Sequence, residues 1–380
     1  MRFHKSISRK CLLFLVAYGI YILSVSLEYT ALQYDFGRVL QLMRYAAYGM
    51  LALKVLIDAN REKRYLLLFV GLMVVTMLQS FISGLREVTF LFLIVYALYE
   101  VDIEDALKVQ IAVQMICLIS VVLLAACGIV ENKEYIDHGT IRYTMGFDYI
   151  NGAGSLFLSS EIAWLYIRQK KFRIGELILI LAGWGLIYSC TDFRTMTILG
   201  CVGAIACYII KYWKVPVNKG ILKWLYCMVP VLIAAFSWIM QVTYNVNADH
   251  KWMQKMNYAF NGRLNLAKSA MDTYGVHLWG EKVKWIGNTA NLSRNNYNFV
   301  DCSYIKVAID YGWVIALLII VLYCYLFYCM IKKNNHAGCI WLTLFMIGAY
   351  MLPILTGVYY NPLLLLAGGM FHGKTKVCQT

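Results

Sequence analysis

Long apolar runs separated by short polar connectors dominate the chain. The hydrocarbon core of a bilayer is about 30 Å thick and needs roughly 20 apolar residues in a helix. Runs of this order occur at about residues 11–27, 38–57, 65–84, 107–130, 150–167, 175–190, 194–211, 221–241, 303–330 and 338–357. Two shorter runs, 88–99 and 358–371, are long enough only to be re-entrant or marginal spans. The pattern predicts an all-α, polytopic transmembrane helix bundle of about 11 to 12 spans.

One polar segment, at about 242–302, is far longer than the other connectors. Loops of this length in compact proteins are usually functional or disordered. Within it, Leu264, Ala267 and Met271 recur at helical spacing, which predicts an amphipathic helix over 262–273 near the membrane interface. The long loop is therefore expected to be ordered in part.

Composition supports the membrane prediction. Of the 380 residues, 61% are hydrophobic and 15% are charged, a balance that a water-soluble core could not bury. No linker or repeat of fixed period is visible, so we predict one integral membrane domain over 1–380 with the loop inside it. The twelve cysteines lie mostly in apolar runs without a CxxC pair, and no cofactor or metal site is predicted.

The distribution of basic residues predicts the topology. The net charge of +14 comes from short clusters between apolar runs, a pattern typical of membrane topology and not of nucleic-acid binding. The clusters are at 2–10, 61–64, 168–173, 211–223 and 332–333. All five clusters lie on the same side of the membrane only if 88–99 crosses it. We therefore predict a cytoplasmic N-terminus and three outer segments, at 131–149, 191–194 and 242–302.

Basic residues favour the cytoplasmic side of a membrane protein, so arginine is disfavoured in the outer segments. Each predicted outer segment nevertheless carries arginine: Arg142, Arg194, and then Arg263 with Arg294. A guanidinium presents a planar fork that can engage two phosphate oxygens, so an anionic partner outside the membrane is one interpretation. For Arg194 the alternative is a local ion pair with Asp192 or a snorkelling role. The stretch around Arg142 is alternatively a simple connector.

Two residues of the long loop could accept a proton. His277 and Asp301 are both side chains that act as bases when their environment tunes them. The structural alternatives are a hydrogen-bonding loop histidine and, for Asp301, a helix cap before the next span. Motifs for ATP binding, zinc proteolysis and serine hydrolysis are not found in the sequence.

The long loop resembles the outer loop of bacterial polysaccharide polymerases of the Wzy type, members of the O-antigen polymerase and ligase superfamily. The resemblance runs from Asn261-Gly262-Arg263 through Tyr274–Gly280 and Trp285–Asn288 to Val300–Ile305 and Asp310–Gly312. The segments around Arg142–Asn151 and Arg194 are similar to the other two signatures of that family. Related loops commonly read Asp-Asn-Ser-Tyr, whereas this chain has Cys302 in the second place.

This resemblance implies a metal-independent glycosyltransferase with a GT-C-like fold in the bacterial cytoplasmic membrane. Its substrates would be oligosaccharide repeats on undecaprenyl diphosphate, joined on the outer face into a capsule, exopolysaccharide or O-antigen. It implies diphosphate-binding roles for Arg142, Arg194 and Arg263, and places His277 or Asp301 near the acceptor hydroxyl. A flippase and a chain-length regulator would be partners beside the membrane lipid.

Other functions are open on the sequence. A glycan ligase of the same superfamily shares the signatures. A transporter or flippase would carry ionisable residues at mid-span and broken helices in paired positions. Most charges here lie at span ends, with Arg44, Lys54 and Glu161 as partial exceptions. A cell-wall polymerase of the shape-determining type is a third alternative.

Overall fold

A computed structural model describes residues 8–58, 62–137, 139–212, 216–245, 251–287 and 297–371. Its elements are, in chain order, α1 (Arg9–Glu28), α2 (Gln33–Ile57), α3 (Lys63–Ser83), α4 (Glu87–Ala97), α5 (Ile103–Ala126), β1 (Glu134–Asp137), β2 (Thr140–Tyr143), α6 (Gly152–Arg168), α7 (Ile174–Thr191), α8 (Arg194–Ile210), α9 (Gly220–Val242), α10 (Lys251–Ala259), α11 (Arg263–Tyr274), α12 (Ser303–Lys332), α13 (His336–Gly348) and the C-terminal 3-10 helix (Pro362–Phe371). Apart from the two short strands, its secondary structure is helical, which confirms the predicted all-α, polytopic membrane bundle.

Seven helices of the described ranges are long and apolar enough to cross a membrane: α1, α2, α3, α5, α7, α9 and α12. The chain is thus a multi-pass membrane protein. Four other apolar helices are shorter, namely α4, α8, α13 and the C-terminal 3-10 helix. The predicted span at 338–357 is correct only in part, because α13 ends at Gly348 and turns follow it.

The short run at 88–99 forms α4, whose 11 residues rise about 16 Å, roughly half of the hydrocarbon thickness. Nearly all of its side chains are buried inside the bundle. Just beyond it, the Tyr99 carbonyl accepts a hydrogen bond from Lys54 Nζ at 2.9 Å, and the Glu100 carbonyl accepts one from Cys11 Sγ at 3.2 Å. The segment therefore returns the chain to the end where α1 begins, although it is an interior element.

The two ends of the bundle differ in chemistry. We call the end with Lys10, Arg168, Lys211 and Lys333 the basic end, because the described parts of the five basic clusters lie there at helix termini. The opposite end carries Asp192 and the long loop, and we call it the loop end. Which end faces the cytoplasm stays a prediction from charge.

At the loop end, the predicted connector 131–149 forms a small antiparallel hairpin of β1 and β2. The hairpin segment docks on the end of α1, where the Asp148 amide donates to the Tyr29 carbonyl at 2.9 Å. The Ala31 amide also donates to the Gly146 carbonyl at 3.1 Å. The segment around Arg142 is thus held in place by backbone hydrogen bonds and is more than a simple connector.

The long loop matches its predicted limits, since α9 ends at Val242 and α12 begins at Ser303. The predicted amphipathic helix is α11, which buries Leu264 and Ala267 against the bundle. The loop also packs on α12 itself.

Helix α12 is interrupted at Gly312, whose φ of 84° and ψ of 172° are not helical. Such a break leaves backbone donors and acceptors without helical partners. The long loop supplies them. The Trp313 amide donates to the His277 carbonyl at 3.1 Å, and the Glu281 amide donates to the Ile309 carbonyl at 2.9 Å. The loop backbone therefore replaces the helical hydrogen bonds that the break removes.

Only glycine allows this close approach. A Cβ atom at Gly312 would lie 2.4 Å from both the Leu278 carbonyl oxygen and the Gly280 nitrogen. A Cβ at Gly280, whose φ is also positive, would lie 2.3 Å from the Asp310 carbonyl oxygen. Two facing glycines thus permit the contact between the loop and α12.

We expect the Gly312→Ala variant to lose stability. Its backbone conformation costs a non-glycine residue about 1 to 3 kcal/mol, and displacement of the loop adds to this cost. The measurement is the melting temperature of the purified protein in detergent. Gly49→Ala is the matched control, because the Cβ meets nothing within 4 Å on helix α2. Equal melting temperatures for the two variants would contradict the account.

Candidate functional site

Two predicted arginines meet on one carboxylate at the loop end. Arg142 Nη2 lies 2.9 Å from Asp192 Oδ2, and Arg194 Nε lies 3.4 Å from Asp192 Oδ1. Asp192 ends α7 in the left-handed region, with φ at 45°, and so turns its carboxylate back between the two guanidinium groups. The predicted local pair of Arg194 with Asp192 is present, and Arg142 joins it from 50 residues away.

The two guanidinium groups differ in accessibility. The Arg142 side chain is 19% exposed, whereas that of Arg194 is 69% exposed. Burial alone would raise the pKa of Asp192, but hydrogen bonds from Arg194 and Tyr188 and the charge of Arg142 outweigh it and lower the pKa. Arg194 is therefore the member of this cluster that solvent, or a ligand, can reach.

The carboxylate of Asp148 secures the hairpin base. It accepts hydrogen bonds from Lys133 Nζ at 2.8 Å and from the Tyr34 hydroxyl at 2.6 Å. Burial opposes ionisation, but these two hydrogen bonds lower the pKa of Asp148 below its ordinary value. The Asp148 carboxylate is thus paired, and through Tyr34 it ties the hairpin segment to α2.

The third predicted arginine begins α11. Asn261 and Gly262 both have positive φ, and this tight turn places Arg263 at the first helical position. Arg263 Nε lies 2.8 Å from Asp301 Oδ2, and the two side chains are 22% and 21% exposed. The Asn-Gly-Arg sequence therefore sets the position of the guanidinium.

Arg194 and Arg263 share an unusual helix position. Each is the first residue of its helix, where backbone amides and the helix dipole create positive potential. A cation at this end is unfavourable by itself, since the dipole favours anions there. Each arginine is paired with an aspartate, which offsets this unfavourable interaction.

Tyr297 lies near Asp301, Arg263 and Tyr149. Burial and the charge of Asp301 raise the pKa of its hydroxyl, with Tyr149 adding to the effect and Arg263 opposing it. Tyr149 in turn packs edge-on against Tyr135 of the hairpin. The hairpin and the Arg263–Asp301 pair are thus neighbours through these tyrosines.

His277 has a different environment. Its Nε2 lies 3.1 Å from the Tyr274 carbonyl and 3.5 Å from the Glu281 carboxylate. The side chain is 60% exposed. His277 thus sits where the loop meets the break in α12, and its ionic partner is Glu281 instead of Asp301.

Asp301 is not the cap of α12. The N-cap position belongs to Cys302, whose buried thiol lies 2.8 Å from Gln241 Nε2 on α9. The next residue, Ser303, accepts a hydrogen bond from the Ile354 amide at 2.7 Å. These neighbours anchor the segment in the bundle and leave the Asp301 carboxylate facing Arg263.

A second ionic cluster next to Asp301 was not predicted. Lys306 Nζ lies 2.9 Å from Asp310 Oδ2 and 4.1 Å from the centre of the Trp285 ring. Trp285 Nε1 donates to the other Asp310 oxygen at 2.7 Å. The sequence signal was a lysine and an aspartate four residues apart at the start of a span, which places both on one helix face.

Glu87 extends this cluster toward α4. The Tyr311 hydroxyl donates to Glu87 Oε2 at 2.9 Å. The start of α4 is therefore linked to the residue that precedes the break in α12. Nothing in the local sequence pattern relates these two residues, which are 224 positions apart.

The structure thus brings Arg142 together with Arg194, and Arg263 together with Asp301. Arg294 lies outside the described residues. Within the described ranges, no three His, Cys, Asp or Glu side chains form a metal-binding group. Comparison of the chain with protein families, curated proteins and solved structures finds no match.

We expect Asp192→Asn to loosen the hairpin, because Arg142 loses its ionic partner on α7. Hydrogen bonds to charged groups contribute about 1.5 to 3 kcal/mol, so hydrogen exchange in β1 and β2 should accelerate roughly 10-fold or more. Asp272→Asn, which removes an exposed pair with Lys268, is the control. Unchanged exchange in Asp192→Asn would contradict this role.

The same contact predicts a pH dependence. The pKa of Asp192 is lowered in the folded protein, so its contribution to stability is complete above 3.8, the ordinary aspartate value. It is lost as the pH falls from there through the lowered pKa. Protection of the hairpin in the unmodified protein should decrease in that acidic range and not near neutrality.

Proposed function

We propose that this protein is a membrane glycosyltransferase that polymerises oligosaccharide repeats carried on undecaprenyl diphosphate, on the outer face of a bacterial cytoplasmic membrane. The product would be a surface polysaccharide. The N-terminus and the basic end would then face the cytoplasm. The resemblance of the long loop and of the segments around Arg142 and Arg194 to polymerases of the Wzy type motivates the proposal.

One observation supports it most. Arg194 and Arg263 each begin a helix at the loop end, and each is paired with a carboxylate that a phosphate could replace. A diphosphate carries more negative charge than a carboxylate and has the oxygen geometry that a guanidinium fork prefers. Two such positions at one end of the bundle suit two lipid diphosphates, one for the donor and one for the acceptor.

The proposed reaction needs little beyond positioning and charge. The acceptor hydroxyl oxygen forms a bond to the anomeric carbon of the growing glycan, and the bond from that carbon to the lipid diphosphate breaks. The hydroxyl proton passes to a base, and the diphosphate leaves with the electron pair. Guanidinium groups aimed at the leaving oxygens stabilise the developing negative charge.

Asp301 is the better candidate for the proton acceptor. It lies beside Arg263 and near the Tyr297 hydroxyl, whereas His277 pairs with Glu281 at the loop contact with α12. A base has to lie within hydrogen-bond reach of the proton that it removes. We therefore assign the acceptor hydroxyl to the neighbourhood of Asp301 and give His277 a positioning role.

The transporter alternative has one observation in its favour, the broken helix α12 with Lys306 and Asp310 beside it. In transporters, backbone groups freed by such breaks line the substrate cavity. Here the loop backbone takes up those groups. The charged residues within spans also have polar partners: Arg44 with Glu28, Lys54 with Asp58, and Glu161 with Trp184. These pairings favour a structural role for the charges.

We predict that Arg194→Ala and Arg263→Ala abolish long-chain polymer, since each removes a cation from a proposed diphosphate position. The measurement is a glycan gel from the native host carrying each variant in place of the chromosomal gene, with membrane protein levels matched by immunoblotting. Arg38→Ala removes an exposed arginine of α2 at the same end and is the control. Normal chain lengths in both test variants would contradict the proposal.

The same gels separate the alternatives. Loss of a polymerase leaves single repeats attached to the final acceptor or to lipid. Loss of a ligase leaves finished polymer on the lipid carrier. Retention of lipid-linked repeats on the cytoplasmic side after deletion of the gene would indicate a flippase instead.

A second pair of variants tests the proton acceptor. We expect Asp301→Asn to lower polymer formation at least 100-fold, because general base catalysis typically contributes a factor of about 10² to 10⁴. His277→Ala should retain most of the activity. The reverse order of effects would assign the base to His277 and refute the role of Asp301.

A further inference from the structure

A concave basic surface lies at the opposite end of the bundle from the candidate site. Its volume is about 550 Å³, and it is lined by Arg168, Lys171, Phe172, Arg173, Ile174 and Lys211. Four stretches contribute to it: the end of α6, the connection 169–173 with its short 3-10 helix (Gln169–Lys171), the start of α7 and the end of α8. We call it the basic pocket.

The cations of the basic pocket are of two kinds. Arg168 is held by Glu176, with Nε 2.7 Å from the carboxylate, and Lys211 donates to the Phe172 carbonyl at 2.7 Å. Lys171 and Arg173 are exposed at the pocket wall. Two cations held by protein groups and two exposed cations therefore surround one concave volume. The amino end of α7 lies beside it, and the helix dipole favours an anion there.

Apolar surface continues from the pocket along the bundle. Ile174 lines the pocket, and Ile178 follows it one turn further along α7; both are more than half exposed. On α8, Ile205 and Ile209 form a similar exposed pair that leads to Tyr212, whose ring lies 4.7 Å from Lys211 Nζ. The pocket thus joins a cationic surface to two exposed apolar stripes, one on α7 and one on α8.

We propose that the basic pocket binds the phosphate headgroup of an anionic phospholipid, whose acyl chains lie along the exposed stripes of α7 and α8. Membrane-facing basic pockets between helices are suited to such headgroups, and each nearby cation adds to the attraction. A free phosphate would satisfy the cations but would leave the apolar stripes unused. Basic residues that only set topology need not bring Lys211, at the end of α8, to the cavity that the cations of 168–173 line.

The test uses the full-length protein in neutral detergent, titrated separately with phosphatidylglycerol, phosphatidylcholine and inorganic phosphate. Native mass spectrometry counts the bound molecules. We expect one phosphatidylglycerol to be retained at concentrations where phosphatidylcholine and phosphate are not. Lys171→Gln combined with Arg173→Gln should weaken this binding roughly tenfold or more.

Lys219→Gln combined with Lys223→Gln is the matched control. These two exposed lysines lie at the start of α9, at the same end of the bundle, and are not part of the pocket. Equal weakening in both double variants would overturn the proposal, because diffuse charge would then explain the binding. Retention of phosphate in preference to phosphatidylglycerol, or equal retention of the two phospholipids, would also overturn it. Melting temperatures establish that both double variants are folded.

Discussion

Backbone groups that lose their helical partners must find others, and the break of α12 at Gly312 imposes this requirement on the whole loop end. The loop around His277 and Glu281 meets it by hydrogen bonding to both sides of the break. An unpaired buried amide or carbonyl costs about 1 to 3 kcal/mol, so the loop and the broken helix stabilise each other. The long loop is therefore part of the bundle and not an appendage of it.

The positions of the polar side chains follow from this contact. Once the loop is fixed on α12, Trp285 reaches Asp310, and Lys306 is enclosed between that carboxylate and the Trp285 ring. Asp301 lies five residues before Lys306, just ahead of α12, and pairs with Arg263 on α11. A change at the facing glycines would thus shift the Lys306–Asp310–Trp285 cluster next to this pair, although the glycines bind nothing themselves.

Sequence patterns predicted the elements that depend on local periodicity, and they missed features that depend on distant partners. The limits of α11 followed from Leu264 and Ala267, because helical spacing on one face survives in any surroundings. The pairing of Arg142 with Asp192 could not be predicted from the sequence pattern, since 50 residues separate them. The alternative of a capping role for Asp301 is not what the structure has, because Cys302 is the N-cap of α12 and Asp301 pairs with Arg263. The run at 88–99 was visible in the sequence, but its interior position as α4 was not, because buried and lipid-facing helices are equally apolar.

The paired carboxylates explain how arginines can stand at helix amino ends. A lone guanidinium there would meet the unfavourable end of the dipole, and for Arg263 partial burial would add a desolvation cost. Asp192 and Asp301 offset both costs while no ligand is bound. In the proposed reaction, a diphosphate that engages Arg263 would compete with Asp301 for the same donors. Binding of the lipid would then release the carboxylate beside the acceptor hydroxyl, so that the proton acceptor becomes available only when the leaving group is in place.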